Sequence, residues 1–253
     1  MNFLEIKGLC RNFGGLRAVC DLNAHIEAGR ITAMIGPNGA GKTTAFNLVT
    51  GLLPVSTGKI FFQGKDITGL PPHKIAFLGV ARTFQNIRIF SNMSVLENVM
   101  VGVHTRSCKG MFSSALRLPG VSSEEKFIRD EAFKYLEWME LAHLASMDAG
   151  NLPFGQQRIL EIARALAAKP KLILLDEPAA GLNSQETNKL SKLIRNILES
   201  GVTVFLVEHD MELVMNISHD IIVLNNGFLI TRGTPSEVQR NKDVITAYLG
   251  EEH

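Results

Sequence analysis

Three cysteines stand in 253 residues, Cys10, Cys20 and Cys108. They form no C-x-x-C pair, lie in no His/Cys cluster and cannot all pair within one chain, which excludes a disulfide scaffold and a zinc site. Reduced, structural thiols of a cytoplasmic protein are expected. Charge of one sign is also missing: 26 Lys and Arg against 25 Asp and Glu leave a formal net charge of +1. There is no electrostatic reason for a nucleic acid or an anionic membrane surface as partner. Long apolar runs are missing too, since KLILLDEP and VTVFLVEHD fall far below the roughly 18 residues of a membrane helix. The amino terminus, MNFLEIKGL, has an acidic residue in a short apolar run and no long h-region of a secretion signal. No transmembrane segment is expected, so any work at a membrane would be peripheral and carried by another chain. Internal repeats and low-complexity segments are absent as well.

What remains is 45% hydrophobic, enough for one large or two small domains with a real core. Up to residue 85 strand-like runs dominate: FLEIKGL, ITAMIG, KIFFQG and GVARTFQ. Residues 94–168 read as helical. There the run EEKFIRDEAFKYLEWMELAHLAS puts Ile128, Ala132, Tyr135 and Met139 on one face with a solvated charged face opposite, an amphipathic helix. Strands return as LILLDEP, VTVFLVEHD and DIIVLNNG. Between the first two lies a helix with Ser184 as cap, Leu190, Ile194, Ile197 and Leu198 inside, and Gly201 past its end. Strand, helix, strand at this spacing predicts a parallel sheet buried on both faces. The segment Lys109 to Gly120, KGMFSSALRLPG, reads as a surface connector or a partner contact.

The most informative stretch is GPNGAGKTT, residues Gly36, Pro37, Asn38, Gly39, Ala40, Gly41, Lys42, Thr43 and Thr44. It fits G-x-x-x-x-G-K-[ST] between the apolar run ITAMI and the helix-like AFNLVTGL, which is the strand, loop, helix setting of a phosphate grip. Its glycines let backbone N–H groups turn inward, and a helix beginning near Lys42 aims its positive end at the same point. Lys42 would reach the β and γ phosphates and Thr43 would offer its hydroxyl to Mg²⁺.

Other pieces belong at the same sheet edge. Four apolar residues precede Asp176 and Glu177; Asp176 would serve the Mg²⁺ shell and Glu177 would orient or deprotonate the attacking water. His209 follows VTVFLVE and Gln85 ends GVARTFQ; read alone, each is either a polar surface residue or a group poised at the phosphates. In NLPFGQQRILEIARALAAKP, Gly155 and Gln156 sit at a helix amino end, where an anion is favoured. Ile159, Ile162, Ala163 and Leu166 form that helix's apolar side.

In this order, and over nearly the whole chain, the pieces resemble the ATP-binding cassette (ABC) ATPases. The resemblance implies an α/β P-loop NTPase fold with a RecA-like core, an antiparallel β subdomain and a helical subdomain. It divides the single 1–253 domain into a nucleotide-binding core (1–85 and 169–235), a helical signature subdomain (86–168) and a carboxyl-terminal helix and tail (236–253). It makes GPNGAGKT the Walker A motif, Gln85 the Q-loop, LPFGQQ the signature motif, LILLDE the Walker B motif, AGLN at 180–183 the D-loop and His209 the switch histidine. Catalysis would fall to Glu177, His209, Gln85 and Lys42, and metal binding to Thr43, Gln85 and Asp176. Phe13 in RNFGG would stack on adenine, or else is a core phenylalanine. The implied cofactors are ATP and Mg²⁺. Family members pair head to tail, each ATP lying between one chain's Walker A and the other's signature, so one chain alone should hydrolyse poorly.

Two positions depart from the family pattern. The serine of the signature is replaced within Leu152-Pro153-Phe154-Gly155-Gln156, and the usual D-loop aspartate is Asn183. Proline suits an early helix position, but an unreplaced hydrogen bond to a charged group costs about 1.5–3 kcal/mol, here at the partner's nucleotide.

GLRAV, RTFQNIRIF, SVLENV, the Lys109 to Gly120 insertion, GQQRILEIARAL, DEPAAGLN, VEHDM, GTPSEV and AYLG are similar to the LivG-type ATP-binding subunits of branched-chain amino acid importers. That resemblance implies a second, paralogous ATPase, two transmembrane permease subunits, an extracytoplasmic solute-binding protein, and a place on the cytoplasmic face of the membrane. Cassettes for urea, short amides or lipopolysaccharide export look alike, because a cassette never touches its cargo. A soluble cassette of translation or repair lacks its second cassette or coiled-coil insertion here, and a small-molecule P-loop kinase would lack the signature helix and His209.

Overall fold

The computed structural model describes residues 3–105 and 121–249. Cys108, the Lys109 to Gly120 insertion and the last four residues lie outside the described residues. The chain divides into two compact units, one of residues 1–82, 171–180 and 184–253, the other of residues 83–170 and 181–183.

The first unit contains both sheets. An antiparallel sheet of order β2-β1-β4-β5 is built from β1 (Leu4–Phe13), β2 (Leu16–Ile26), β4 (Thr57–Phe62) and β5 (Lys65–Asp66). A six-stranded sheet runs β10-β9-β3-β8-β7-β6, from β3 (Ile31–Ile35), β6 (Val80–Arg82), β7 (Leu172–Asp176), β8 (Thr203–Val207), β9 (Asp220–Asn225) and β10 (Phe228–Gly233). Its pairings are parallel except β9 with β10. Every residue of β3, β7 and β8 is buried, as continuous apolar runs in a doubly covered parallel sheet require. The core lies among Leu4, Ile6, Leu22, Met34, Phe46, Phe62, Leu174 and Phe205, with the Phe46 and Phe205 rings 4.7 Å apart.

Three differences from the sequence reading stand out here. The second strand, β2, carries charged and polar residues on its open face and gave no apolar run to find. The run GVARTFQ is strand only over Val80–Arg82, so Gln85 is a loop residue beyond the strand. Leu198 is half-buried, and the helix α6 (Ser184–Glu199) buries Leu190, Ser191, Ile194 and Ile197 instead. The remaining helices of this unit are α1 (Lys42–Val49), α2 (Pro72–Phe77), α7 (Met211–Ile217), α8 (Pro235–Arg240) and α9 (Lys242–Leu249).

The second unit packs α3 (Val95–His104), α4 (Val121–Trp138) and α5 (Phe154–Ala167). A capping box closes the start of α3, Ser94 Oγ accepting from Glu97 N–H while Glu97 accepts from Ser94 N–H. The helix α4 stops at Trp138, earlier than the periodicity to Ser146 suggests, because Glu140 takes φ +58 and turns the chain into short 3-10 turns. Its buried stripe is Ile128, Ala132 and Leu136, with Met139 buried just past its end; Tyr135 is half-buried and Leu136, at i+4 from Ala132, takes the place expected for it. In α5 the half-buried Ile159 gives way to Leu160 beside Ile162, Ala163 and Leu166.

Candidate functional site

Buried β3 ends at Ile35 and the glycine loop begins. Gly36 has φ +152 and lies so close to Leu224 that a Cβ there would overlap that residue's carbonyl oxygen. At Gly41, the cap of α1, φ is +98 and a Cβ would strike the Ala18 carbonyl oxygen. Only glycine fits such backbone at such approach. Gly36, Pro37 and Ala40 are buried, while Asn38, Gly39 and Thr43 are exposed and Thr44 half-buried. Lys42 is only 7% exposed, and its Nζ donates to the Gly36 and Pro37 carbonyls at 2.6 and 2.8 Å. Four carbons of side chain thus fold back and hold one ammonium in the mouth of the loop, at the amino end of α1.

Asp176 ends β7 in the same sheet and is buried. Its Oδ2 accepts from Arg82 Nη2 at 2.7 Å. Arg82 Nη1 in turn donates to Asn47 Oδ1 in α1 and to Oγ1 of Thr50, the residue that caps its end, at 2.7 and 3.0 Å, so one guanidinium orients the carboxylate and ties β7 to the helix that follows the glycine loop. Asp176 Oδ1 is buried without a hydrogen-bond partner. An orphaned carboxylate oxygen beside a phosphate loop fits a hard cation. Among the described residues no group of three or more His, Cys, Asp or Glu could hold a metal. Mg²⁺ suits this donor set, since it takes one or two protein oxygens and completes its shell with phosphate and water.

Glu177 occupies left-handed backbone, φ +46, a strained state for a residue with a Cβ. Its N–H is held by the Val207 carbonyl at 2.9 Å and its carbonyl accepts from Ala180 N–H at 3.1 Å. His209, two residues past β8 with its side chain 62% exposed, places Nδ1 3.7 Å from Glu177 Oε2. The residue between strand and histidine, Glu208, carries no motif in the sequence. Glu208 is fully buried and accepts from the N–H groups of Ala179, His209 and Asp210 at 2.7, 3.1 and 3.4 Å. Burial pushes its carboxyl up and those three N–H groups pull it back. Phe13 is 43% exposed with the Arg11 guanidinium over its ring at 4.6 Å, so it is not a core residue.

Gln85, Gly155 and Gln156 belong to the second unit. Pro153 is the cap of α5 rather than a residue inside it, with φ −53 and ψ 149, and Gly155 and Gln156 occupy the first turn, before the first intrahelical bond from Gln157 N–H to the Pro153 carbonyl. Phe154 packs its ring on Gly181, the glycine of AGLN. One turn along α5, Arg158 and Glu161 are buried and paired at 3.3 Å. Arg158 donates to the Phe84 and Gln85 carbonyls at 2.7 and 2.8 Å. Glu161 accepts from the N–H groups of Phe84 and Arg88 at 3.3 and 3.1 Å. These two side chains therefore clasp the backbone of the Gln85 loop onto the helix that begins at the signature. Burial is also the main force raising the Glu161 carboxyl. Opposite charges at i and i+3 inside an apolar stripe were the only signal in the sequence for this pair.

The model of the ABC transporter family matches residues 19–180, and that of the branched-chain amino acid ATP-binding cassette transporter matches residues 229–253. The chain is 47% identical to the high-affinity branched-chain amino acid transport ATP-binding protein BraF of Pseudomonas aeruginosa and 44% identical to LivG of Escherichia coli K12, in each case over 98% of both chains. Among solved structures it is similar to a nucleotide-free ATP-binding cassette from an ABC transporter, with a TM-score of 0.87 and 32% identity over 99% of this chain and all of that one. The ADP conformation of an ATP-binding cassette gives 0.86 and 32%, with the same coverage. With its phosphate loop, acidic strand end and signature helix in one chain, this protein belongs to the ABC transporter family of ATP-binding cassette proteins.

Proposed function

We propose that this chain binds and hydrolyses ATP as one half of a head-to-tail cassette pair and so energises uptake of branched-chain amino acids. The observation that carries the hydrolytic reading is the placement of Lys42, Asp176, Glu177 and His209 at the carboxyl ends of neighbouring parallel strands β3, β7 and β8, where open α/β sheets bind ligands. The glycine loop N–H groups and Lys42 would hold the phosphates. Thr43 and Asp176 would hold Mg²⁺, with Gln85 sensing it; when bound, the cation neutralises charge on the phosphates. Glu177 would take the proton of the attacking water, and His209 would orient the same water or donate to the γ-phosphate. Phe13, exposed at the end of β1, would stack on adenine.

The amino acid cargo is supported by the match of residues 229–253 and by the relatives' names. A paralogous second ATPase, two permease subunits and an extracytoplasmic solute-binding protein complete the proposed importer. It would sit on the cytoplasmic face; among the described residues no helix is long and apolar enough to cross a membrane. The altered signature, Pro153-Phe154, motivates the paralogue, because that motif serves the partner's nucleotide.

The test is reconstitution of the complete complex in liposomes. ATP-dependent leucine uptake that Lys42→Ala abolishes is the expected result. Uptake of urea or an amide with none of leucine would overturn the cargo, and permease subunits recovered with only a self-paired cassette would overturn the paralogue.

A further inference from the structure

Glu208 is a fully buried charged side chain at this sheet edge to which the hydrolytic scheme gives no work. Burying a carboxylate is expensive, and a fold that needed only volume after β8 would place an apolar residue there. What a carboxylate adds is two acceptor oxygens. Oε1 takes the Ala179 N–H, two residues beyond Glu177, and Oε2 takes the N–H groups of His209 and Asp210. The loops leaving β7 and β8 are therefore joined through one side chain. Each end of that tie lies within two residues of a group whose placement is demanding: Glu177, on strained backbone at φ +46, and His209, whose Nδ1 lies 3.7 Å from Glu177 and 4.0 Å from Glu208 itself.

We propose that Glu208 is a positioning residue of the hydrolytic site, its carboxylate fixing the Glu177 loop against the His209 loop through the Ala179, His209 and Asp210 N–H groups. This rests on the ATPase reading above. Strained backbone persists only where its surroundings over-determine it; Glu208 supplies one hydrogen bond to the Glu177 loop, at Ala179, and two to the loop that carries His209.

Glu208→Gln tests this, because it keeps the volume but turns an NH₂ toward backbone donors in place of an acceptor. In the complete complex kcat should fall roughly tenfold to a hundredfold, the scale of a misplacement near 1 Å, while KM and affinity for an ATP analogue stay within about twofold, as expected for a loss felt only in the transition state. In ¹H–¹³C spectra of the histidine-labelled full chain, the His209 imidazole signals, identified with His209→Ala, should move. Wild-type turnover in the same preparation separates this idea from the ATPase reading, which fails only if the wild type is inactive. Unchanged kcat and unmoved His209 signals would overturn the proposal. So would a loss of kcat matched by an equal loss of nucleotide binding and melting temperature, the mark of a merely structural role. If the glutamine variant does not fold, Glu208→Asp, which is too short to reach both loops, is held to the same two results.

Discussion

His209 Nδ1 and Glu177 Oε2 lie 3.7 Å apart at the ends of β8 and β7, joined neither by sequence proximity nor by a shared element. Strand register brings them together: Asp176 pairs with Val207 across the parallel sheet, and each residue follows its strand by one or two positions. In the proposed reaction this carboxylate and this imidazole would act jointly on one water molecule.

Glu177→Gln should leave ATP binding intact and lower hydrolysis by about 10²–10⁴-fold, the usual contribution of a general base. Single-turnover measurements with the complete complex check this. Near-normal turnover would remove Glu177 from that role.

At Asp176 two substitutions separate stability from metal binding. Asp176→Ala leaves the buried Arg82 guanidinium without its anion, and should cost about 3–5 kcal/mol in urea unfolding. Asp176→Asn retains an oxygen for Arg82 Nη2, so the loss should be smaller, yet the charge facing a cation is gone. Nucleotide binding by the asparagine variant should respond far less to added Mg²⁺ than that of the wild type.

The Arg158–Glu161 clasp invites a double-mutant cycle. Arg158→Met strands a buried carboxylate and should destabilise by about 3–5 kcal/mol; adding Glu161→Leu should return part of that stability, because no uncompensated charge remains. Turnover should not return with it, since the backbone of Phe84, Gln85 and Arg88 has lost its partners. Urea midpoints and ATPase rates on the same four proteins decide.

Stability should also carry a pH signature from the two buried glutamates. Burial raises the carboxyls of Glu161 and Glu208 in the folded chain, while in the unfolded chain they titrate near the ordinary value of about 4.3. Between those values the folded state binds more protons than the unfolded one, so stability falls as pH rises through the window and levels above it. The unfolding free energy of the wild type minus that of Glu161→Gln/Glu208→Gln should decline with pH across that window. Carboxyls lowered by their own hydrogen bonds, Glu97, Glu131 and Glu237, pull the other way but cancel in the difference.

Much of this molecule is legible in its sequence. The loop Gly36 to Thr44 is local chemistry, since glycines, a lysine and a hydroxyl within nine residues must meet whatever the rest of the chain does. Buried strands β3, β7 and β8 announce themselves as continuous apolar runs, and Asp176 and Glu177 stand out as the first charges after one of them. Boundaries were less visible. The end of α4 turns on the left-handed Glu140, and β2 hides because a half-exposed antiparallel strand alternates with charges.

Residues adjacent along the chain set what kind of pieces are present: a glycine loop ending in lysine, an acidic strand end and an anion-favouring helix start. Tertiary structure alone decided how those pieces are held. Arg82 finds Asp176 from 94 residues away, Glu208 finds Ala179 from 29, and Arg158 finds Gln85 from 73. A buried charge is indistinguishable in sequence from a solvated one, because what tells them apart is the partner that packing delivers.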